Sequence, residues 1–296
     1  MTFLVNFSSL PRIISLLAIA FLLQACSAVK TAYNQVPTLA YFYLDGYVDF
    51  NHAQSTQVKN ELTKMQAWHR QTQLPAYIEL LQKVQVKMPQ DITSIQACEV
   101  FADVRQKALA MTDYAEPAAQ SLTTSFTPKQ LDAMQRKFAK GNTTWREDFL
   151  DASPKDIFEK RQKSAMRRGD MLYGSLTENQ RKLIVQNIEK SNFKAAQSYA
   201  ERQRRQKDIL QTLAKITAHP QDAAQLPFVQ KEMRGLLQRS VSSPDATYRS
   251  YLEQITLDGC ADFAELHNTT TPEQRKKAVE VLAGYEQDFK ALMNQK

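Results

Sequence analysis

Glycine is scarce in this chain, with seven in 296 residues. None of them sits in a GxGxxG or P-loop pattern, which excludes a phosphate cradle of the dinucleotide or nucleotide type. The four histidines, His52, His69, His219 and His267, show no HExxH or other tight ligand spacing, so neither a metal nor another cofactor is expected. No serine or cysteine lies among the glycines that a nucleophile elbow needs. Alternation of apolar and polar residues, the mark of a half-buried strand, is missing as well. Long apolar runs are absent after the first 25 residues.

The one long apolar run opens the chain. Arg12 precedes Ile13 to Leu23, and Leu23-Gln24-Ala25-Cys26 follows in the pattern of a bacterial lipobox. The run is about half of the roughly 20 residues that span a bilayer, which fits a signal-peptide core and not a transmembrane helix. The expectation is a signal peptide over 1–25, cleavage before Cys26 and lipidation of that cysteine. Several acyl chains there would hold the protein on the membrane far more firmly than one myristoyl chain. Ser27, not aspartate, follows the cysteine, which by analogy with bacterial sorting rules places the protein in the outer membrane, facing the periplasm. The competing reading is an ordinary cleaved signal peptide with an incidental cysteine. Met1 to Pro11 carries no Lys or Arg, and so lacks the usual basic start.

The segment 26–296 is long enough for one large or two small domains with a real core. The whole chain carries a net charge of +7, and loss of Arg12 with the signal peptide leaves +6. That excess suits anionic surfaces such as lipid head groups, lipopolysaccharide or cell-wall carboxylates. Nucleic acid is not an expected partner in the periplasm. Two cysteines remain after Cys26, namely Cys98 and Cys260. An even count in an exported protein favours a disulfide, with two buried free thiols as the alternative.

Helix signals fill the rest. Thr127-Pro128, Ser153-Pro154, Ser243-Pro244 and Thr271-Pro272 each place a hydroxyl at an N-cap and proline at the first helical position. Capping boxes are expected at Thr127 with Gln130, Thr177 with Gln180 and Thr271 with Gln274. Val58, Leu62, Met65 and His69, and Leu131, Met134, Phe138 and Trp145, follow the helical period. The fold predicted is all-α, a bundle of about ten antiparallel helices over 38–48, 55–73, 75–87, 92–112, 127–147, 154–172, 177–189, 192–218, 227–240 and 244–257, then a short turn over 260–268 and a last helix over 272–293. Pro117 should break or kink any helix through it, and 219–226 is the best subdomain boundary. The capping boxes do not recur at a fixed period, so no solenoid is expected.

Two places break the binary pattern. The helix after Ser153 has Phe158, Arg161, Ala165, Arg168 and Leu172 on one stripe, which turns two arginines toward the apolar side. A buried guanidinium needs a partner. Glu147, Asp148 and Asp151 just upstream would make it structural; without them the arginines would line an anion-binding groove. In Glu201-Arg202-Gln203-Arg204-Arg205-Gln206-Lys207-Asp208 the apolar stripe is interrupted. Either the helix leaves the core there, with Glu201 pairing Arg205 and Arg204 pairing Asp208 at four-residue spacing, or Arg202, Arg204 and Arg205 join Arg161 and Arg168 around a basic concavity. Arg161, Arg168, Arg202 and Arg205 are therefore the candidate contact residues for an anion or partner. Asp45 and Asp49, one turn apart, read as helix-start acids and not as a catalytic pair. His69 reads as a hydrogen-bonded core residue. In the aromatic run Tyr33, Tyr41, Phe42, Tyr43 and Tyr47, the preferred reading turns Leu39, Phe42 and Tyr43 into the core, and the alternative lays them on a membrane interface.

Over the whole of 26–296, the sequence resembles the bacterial lipoproteins grouped as domain of unknown function 6279. The carrying segments are Ala32-Tyr33-Asn34, Leu44-Asp45-Gly46-Tyr47, Trp68-His69-Arg70 with Leu74-Pro75, Trp145-Arg146, Asp151 with Ser153-Pro154, Tyr173-Gly174-Ser175-Leu176 with Gln180, Glu201 to Gln206, and near the end Cys260, Leu266-His267-Asn268 and Gln274-Arg275. Ala152 stands where the pattern would carry glycine. The resemblance implies a lipoprotein with a helical fold and assigns no activity. A looser similarity to periplasmic helical chaperones of the Spy and CpxP type rests on Leu176-Thr177-Glu178-Asn179-Gln180. The expected function is binding or envelope assembly, with a membrane contact through acyl chains and an envelope protein or an anionic lipid or glycan as partner. A holdase chaperone is the second expectation. An enzyme acting on an envelope component is the third, and it would need a closed pocket around His69 or around Asp45 and Asp49.

Overall fold

In the computed structural model, residues 29–218 and 225–295 are described. Cys26 and the signal segment lie outside them, as does most of the boundary expected near 219–226. Helix α1 is Val36–Val48, α2 His52–Trp68, α3 Leu74–Lys87, α4 Ser94–Thr123, α5 Pro128–Phe149 and α6 Pro154–Tyr173. They are followed by α7 Glu178–Lys190, α8 Ala195–Thr217, α9 Leu226–Val241, α10 Ala246–Asn268 and α11 Pro272–Met293. A π-helical turn, His69–Gln73, joins α2 to α3. Among the described residues there is no strand, so the all-α expectation stands.

The apolar residues gather into two cores. One holds Val48, Phe126, Met134, Leu213, Ile216, Val229, Met233 and Leu236, which come from α1, α5, α8, α9 and the turn after α4. The other holds Met88, Tyr173, Leu176, Ile184 and Ala278, from the end of α3 and from α6, α7 and α11. Helix α4 reaches from the first core to α10, whose Leu266 packs on the second. At 30 residues it is about 45 Å long; Ala119 and Leu122 near its C-terminus pack on the first core, and Cys98 near its N-terminus is joined to Cys260 of α10, Cα to Cα 5.3 Å. The expected disulfide is therefore present.

Each core is closed by the same device. Gln54 and Gln130, both buried, sit at the third positions of α2 and α5, where each Oε1 accepts the N–H of its own N-cap residue, Asn51 or Thr127. The two side-chain amides also donate to each other's Oε1, at 3.3 and 2.6 Å. Gln54 Nε2 further donates to the Ser125 carbonyl, and Gln130 Nε2 to that of Asp49. Gln180 and Gln274 repeat this at α7 and α11, with reciprocal bonds of 2.7 and 2.9 Å and further donation to the carbonyls of Thr269 and Ser175. In all four cases the carbonyl lies two residues before the partner's N-cap. Two helix starts are thus stapled together with every amide hydrogen-bonding group used, the condition under which burying an amide is tolerable.

Several boundaries differ from the sequence expectation. Helix α4 passes through Pro117, because the proline ring and Asp113, whose carbonyl loses its partner, both face water. The separate turn expected over 260–268 is the continuation of α10. That helix starts at Asp245, whose carboxylate accepts from the Thr247 and Tyr248 amides, and not at Ser243, whose hydroxyl donates instead to Glu201. The π turn precedes Pro75, which has no N–H; the Leu74 amide reaches back to the His69 carbonyl and the chain widens for one turn. Helix α6 ends at Gly174, whose φ of +76° is open to glycine at no steric cost.

Candidate functional site

A cleft of about 980 Å³ opens between the two cores, walled by α4, α5, α6, α7, α8 and α10. Its aromatic lining is Phe101, Trp145, Phe149, Tyr173, Phe193 and Phe263. Trp145 is one turn before Phe149 on α5, ring centroids 5.1 Å apart, and stacks on Tyr199 of α8 at 5.3 Å. Phe193 stands in the link between α7 and α8 and meets Phe149 edge-on. Leu172, Ile184, Ile188 and Leu266 complete the apolar surface.

Arg161 projects from α6 into this cleft. Its guanidinium lies 5.0 Å from the Phe193 ring centroid, a cation–π contact, and makes no hydrogen bond or ion pair among the described residues. The three upstream acids do not serve it: Asp148 pairs with Lys160, Asp151 pairs with Arg146 at 3.1 Å, and Glu147 is exposed. Burial lowers the pKa of Arg161, and the fields of Tyr251 and of Asp262 across the cleft act against it. Asp262 is likewise without an ion pair among the described residues; burial, then repulsion from Asp258 and Glu265, push its carboxyl above the usual range. Arg168 belongs to the cleft rim and not to an apolar stripe. It is exposed and donates to Ser164 Oγ at 2.9 Å, since its long stem carries the charged end out to water.

The other two candidate arginines lie in a groove of about 520 Å³ beside α1, with Tyr43, Tyr47, Phe138 and Tyr248. Arg202 donates to Asn142 Oδ1 at 2.8 Å, and Arg205 to Glu201 at 2.8 Å. Ser198 lines both groove and cleft, so the four arginines flank two adjoining recesses and do not share one. The polar turn of α8 does not leave the core. Glu201 is buried and accepts from Arg204, Arg205 and Ser243. Burial alone would raise its pKa, and these hydrogen bonds outweigh burial and hold it at about 2. Asp208, paired with Arg204 and Arg239, extends the network. Both four-residue pairs expected from the sequence form, but inside the protein.

The remaining sequence candidates lie elsewhere. Asp45 and Asp49 are at the end of α1, not at a helix start; Asp45 caps the Phe50 amide at 2.9 Å and Asp49 adopts φ 58° as the C-cap. His69 is half-buried, hydrogen-bonded to Tyr33 Oη at 3.0 Å, and burial lowers its pKa. His267 is fully buried. Its Nε2 faces the Gln90 carbonyl at 2.8 Å and must donate, which leaves Nδ1 to accept from Tyr173 Oη at 2.9 Å. Burial lowers its pKa also, so the neutral ring is the stable form. The sequence reading missed the aromatic wall and Asp262. Trp145 with Phe149, and Asp258, Asp262 and Glu265, recur at helical spacing, and that was the signal available.

Family comparison decides the lineage. The family of unknown function DUF6279 matches residues 46–249. This chain belongs to that family. The match covers α4, α5, α6, α7 and α8 of the cleft with Arg161, Arg168, Arg202 and Arg205 inside it, and is narrower than the whole of 26–296 that the resemblance implied: Asp262, Phe263 and Gln274 of the second staple lie beyond its end. No curated protein and no solved structure matches the chain.

Proposed function

We propose that this DUF6279 protein is an outer-membrane-anchored periplasmic lipoprotein, acylated at Cys26, whose cleft binds an anionic amphiphile. The observation that carries the reading is Arg161: a half-buried guanidinium over an aromatic ring, without an ion pair or hydrogen bond among the described residues, in the wall of a largely apolar recess. A phosphate or carboxylate head on Arg161, with an acyl chain along Trp145, Phe149 and Phe263, satisfies both parts of the lining. The cleft volume is at the large end of the usual range for small-molecule sites, roughly 300–1,000 Å³.

The test uses Trp145 as the reporter, with Trp68 replaced by Phe so that one indole remains. Titration with dodecyl phosphate should change its fluorescence saturably, and neither dodecanol nor inorganic phosphate should match it. Arg161→Gln should weaken dodecyl phosphate binding by about tenfold or more, since a charged hydrogen bond contributes about 1.5–3 kcal/mol, with thermal unfolding unchanged. Equal binding of dodecanol, or undiminished binding by the variant, would sink the proposal.

A holdase is the second reading. Val86, Ile95 and Phe101 are 75, 71 and 49 % exposed, and apolar surface of this kind can hold unfolded clients. Suppression of client aggregation that ignores Arg161→Gln would favour it.

A further inference from the structure

The outer side of α1 is apolar and uncovered. Val36, Leu39, Phe42 and Tyr43 are 47, 61, 64 and 66 % exposed, which reverses the sequence preference for Leu39, Phe42 and Tyr43 in the core. At 100° per residue these four fall on one arc, and Gly46 extends it without a side chain. The opposite side of α1 is the one that packs, through buried Val48 on the first core and half-buried Tyr41 against Ser55 and Phe50, while Tyr47 stands at the arc's edge against Tyr43. No charged residue occurs from Thr31 to Leu44. A water-facing helix would carry charges there.

Cations stand around this arc. Lys137 Nζ lies 5.6 Å from the Tyr47 ring centroid and 3.7 Å from where a Gly46 side chain would begin, and the charges of Arg202 and Lys137 act on the Tyr43 hydroxyl. Of the carboxylates at this end of α1, Asp45 caps Phe50, Glu201 is buried with its arginines, and Asp49 is exposed at the C-cap. Aromatic rings on a short apolar arc with a basic rim are the pattern of a helix that lies in a membrane interface. No helix among the described residues is long and apolar enough to cross one. The connection from Cys26 to Val36 is ten residues, of which 29–34 are helical, so it spans well under the roughly 35 Å of an extended chain and an acyl group there would keep α1 close to the bilayer.

We infer that the outward face of α1, centred on Leu39, Phe42 and Tyr43, rests in the headgroup boundary of an anionic phospholipid surface as a second, non-covalent membrane contact. The inference rests on the acylated-lipoprotein reading for its tether alone. In this pose the groove of Arg202 and Arg205, which α1 itself lines, opens at the lipid surface and leads past Ser198 to the cleft.

The experiment places a photoreactive phenylalanine at 39, 42 or 86 in the full-length protein, reconstitutes each in phosphatidylglycerol and phosphatidylethanolamine vesicles, and identifies adducts by mass spectrometry. Phospholipid adducts at 39 and 42 with none at 86, which lies on α3 and is more exposed than either, are expected. Adducts to a second copy at 39 and 42, or no lipid adduct there, would overturn the inference. The mass of the N-terminal peptide from the same samples reports acylation of Cys26 separately: an unmodified cysteine with lipid adducts at 42 refutes the anchor and supports the face, whereas an acylated cysteine without them refutes the face and keeps the anchor.

Discussion

Glu201 shows how a single residue can be misjudged from its sequence neighbours. A run of Glu, Arg, Gln and Lys on α8 resembles a solvated turn, yet the carboxylate is buried and three donors hold it ionised. Because its folded pKa, about 2, lies below that of an unfolded glutamate near 4.3, the group adds stability that is fully present above about pH 4.5 and is lost as pH falls toward 2. Glu201→Gln should therefore cost about 3 kcal/mol at neutral pH, and the gap between variant and wild type should close as pH falls through that window. Chemical denaturation from pH 7 to 2 measures it; a gap that stays constant with pH would show that the carboxylate's charge is not what matters. Arg161 is the reverse case. Its position on α6 was legible from helical spacing, and its lack of a partner was not, since Asp148 and Asp151 are close in sequence but are paired with Lys160 and Arg146.

Elements were legible wherever local chemistry decides them. The boxes at Thr127, Thr177 and Thr271 all form, as do two others, at Asn51 with Gln54 and Thr93 with Gln96, that follow the same rule without a proline. What the spacing could not show is that four of these glutamines meet in pairs, because Gln54 and Gln130 are 76 residues apart and Gln180 and Gln274 are 94 apart. Pro117 failed as a helix breaker for a tertiary reason, the water-facing side of α4. Each staple predicts coupling. Gln54→Ala or Gln180→Ala should cost about 1–3 kcal/mol by stranding the partner amide; removing both members of one staple should cost less than the sum, while one from each staple should add. Double-mutant cycles in urea test this, and additivity within a staple would contradict the reciprocal bonding.

At the scale of the whole molecule, α4 packs on the first core and is bonded to α10, whose Leu266 packs on the second, and the two cores enclose a cleft that neither has alone. No repeat period in the sequence announces this arrangement, because matching capping devices are set into helices of different length and connection. The Cys98–Cys260 bond ties α4 to α10 across 162 residues. Its loss should lower stability by about 4–5 kcal/mol on chain-entropy grounds, read as a fall in the denaturation midpoint on adding reductant. The cysteines were paired by count and compartment, whereas the cleft needed three dimensions, since Phe101, Trp145, Arg161, Phe193 and Asp262 come from four helices and a link.

The measurement that bears most directly on the binding reading is native mass spectrometry of the full-length protein extracted from membranes, wild type beside Arg161→Gln. Wild type should carry one non-covalent anionic lipid per chain and the variant should have lost it while remaining folded. A wild-type protein with an empty cleft, or a variant that retains the lipid, would contradict the account.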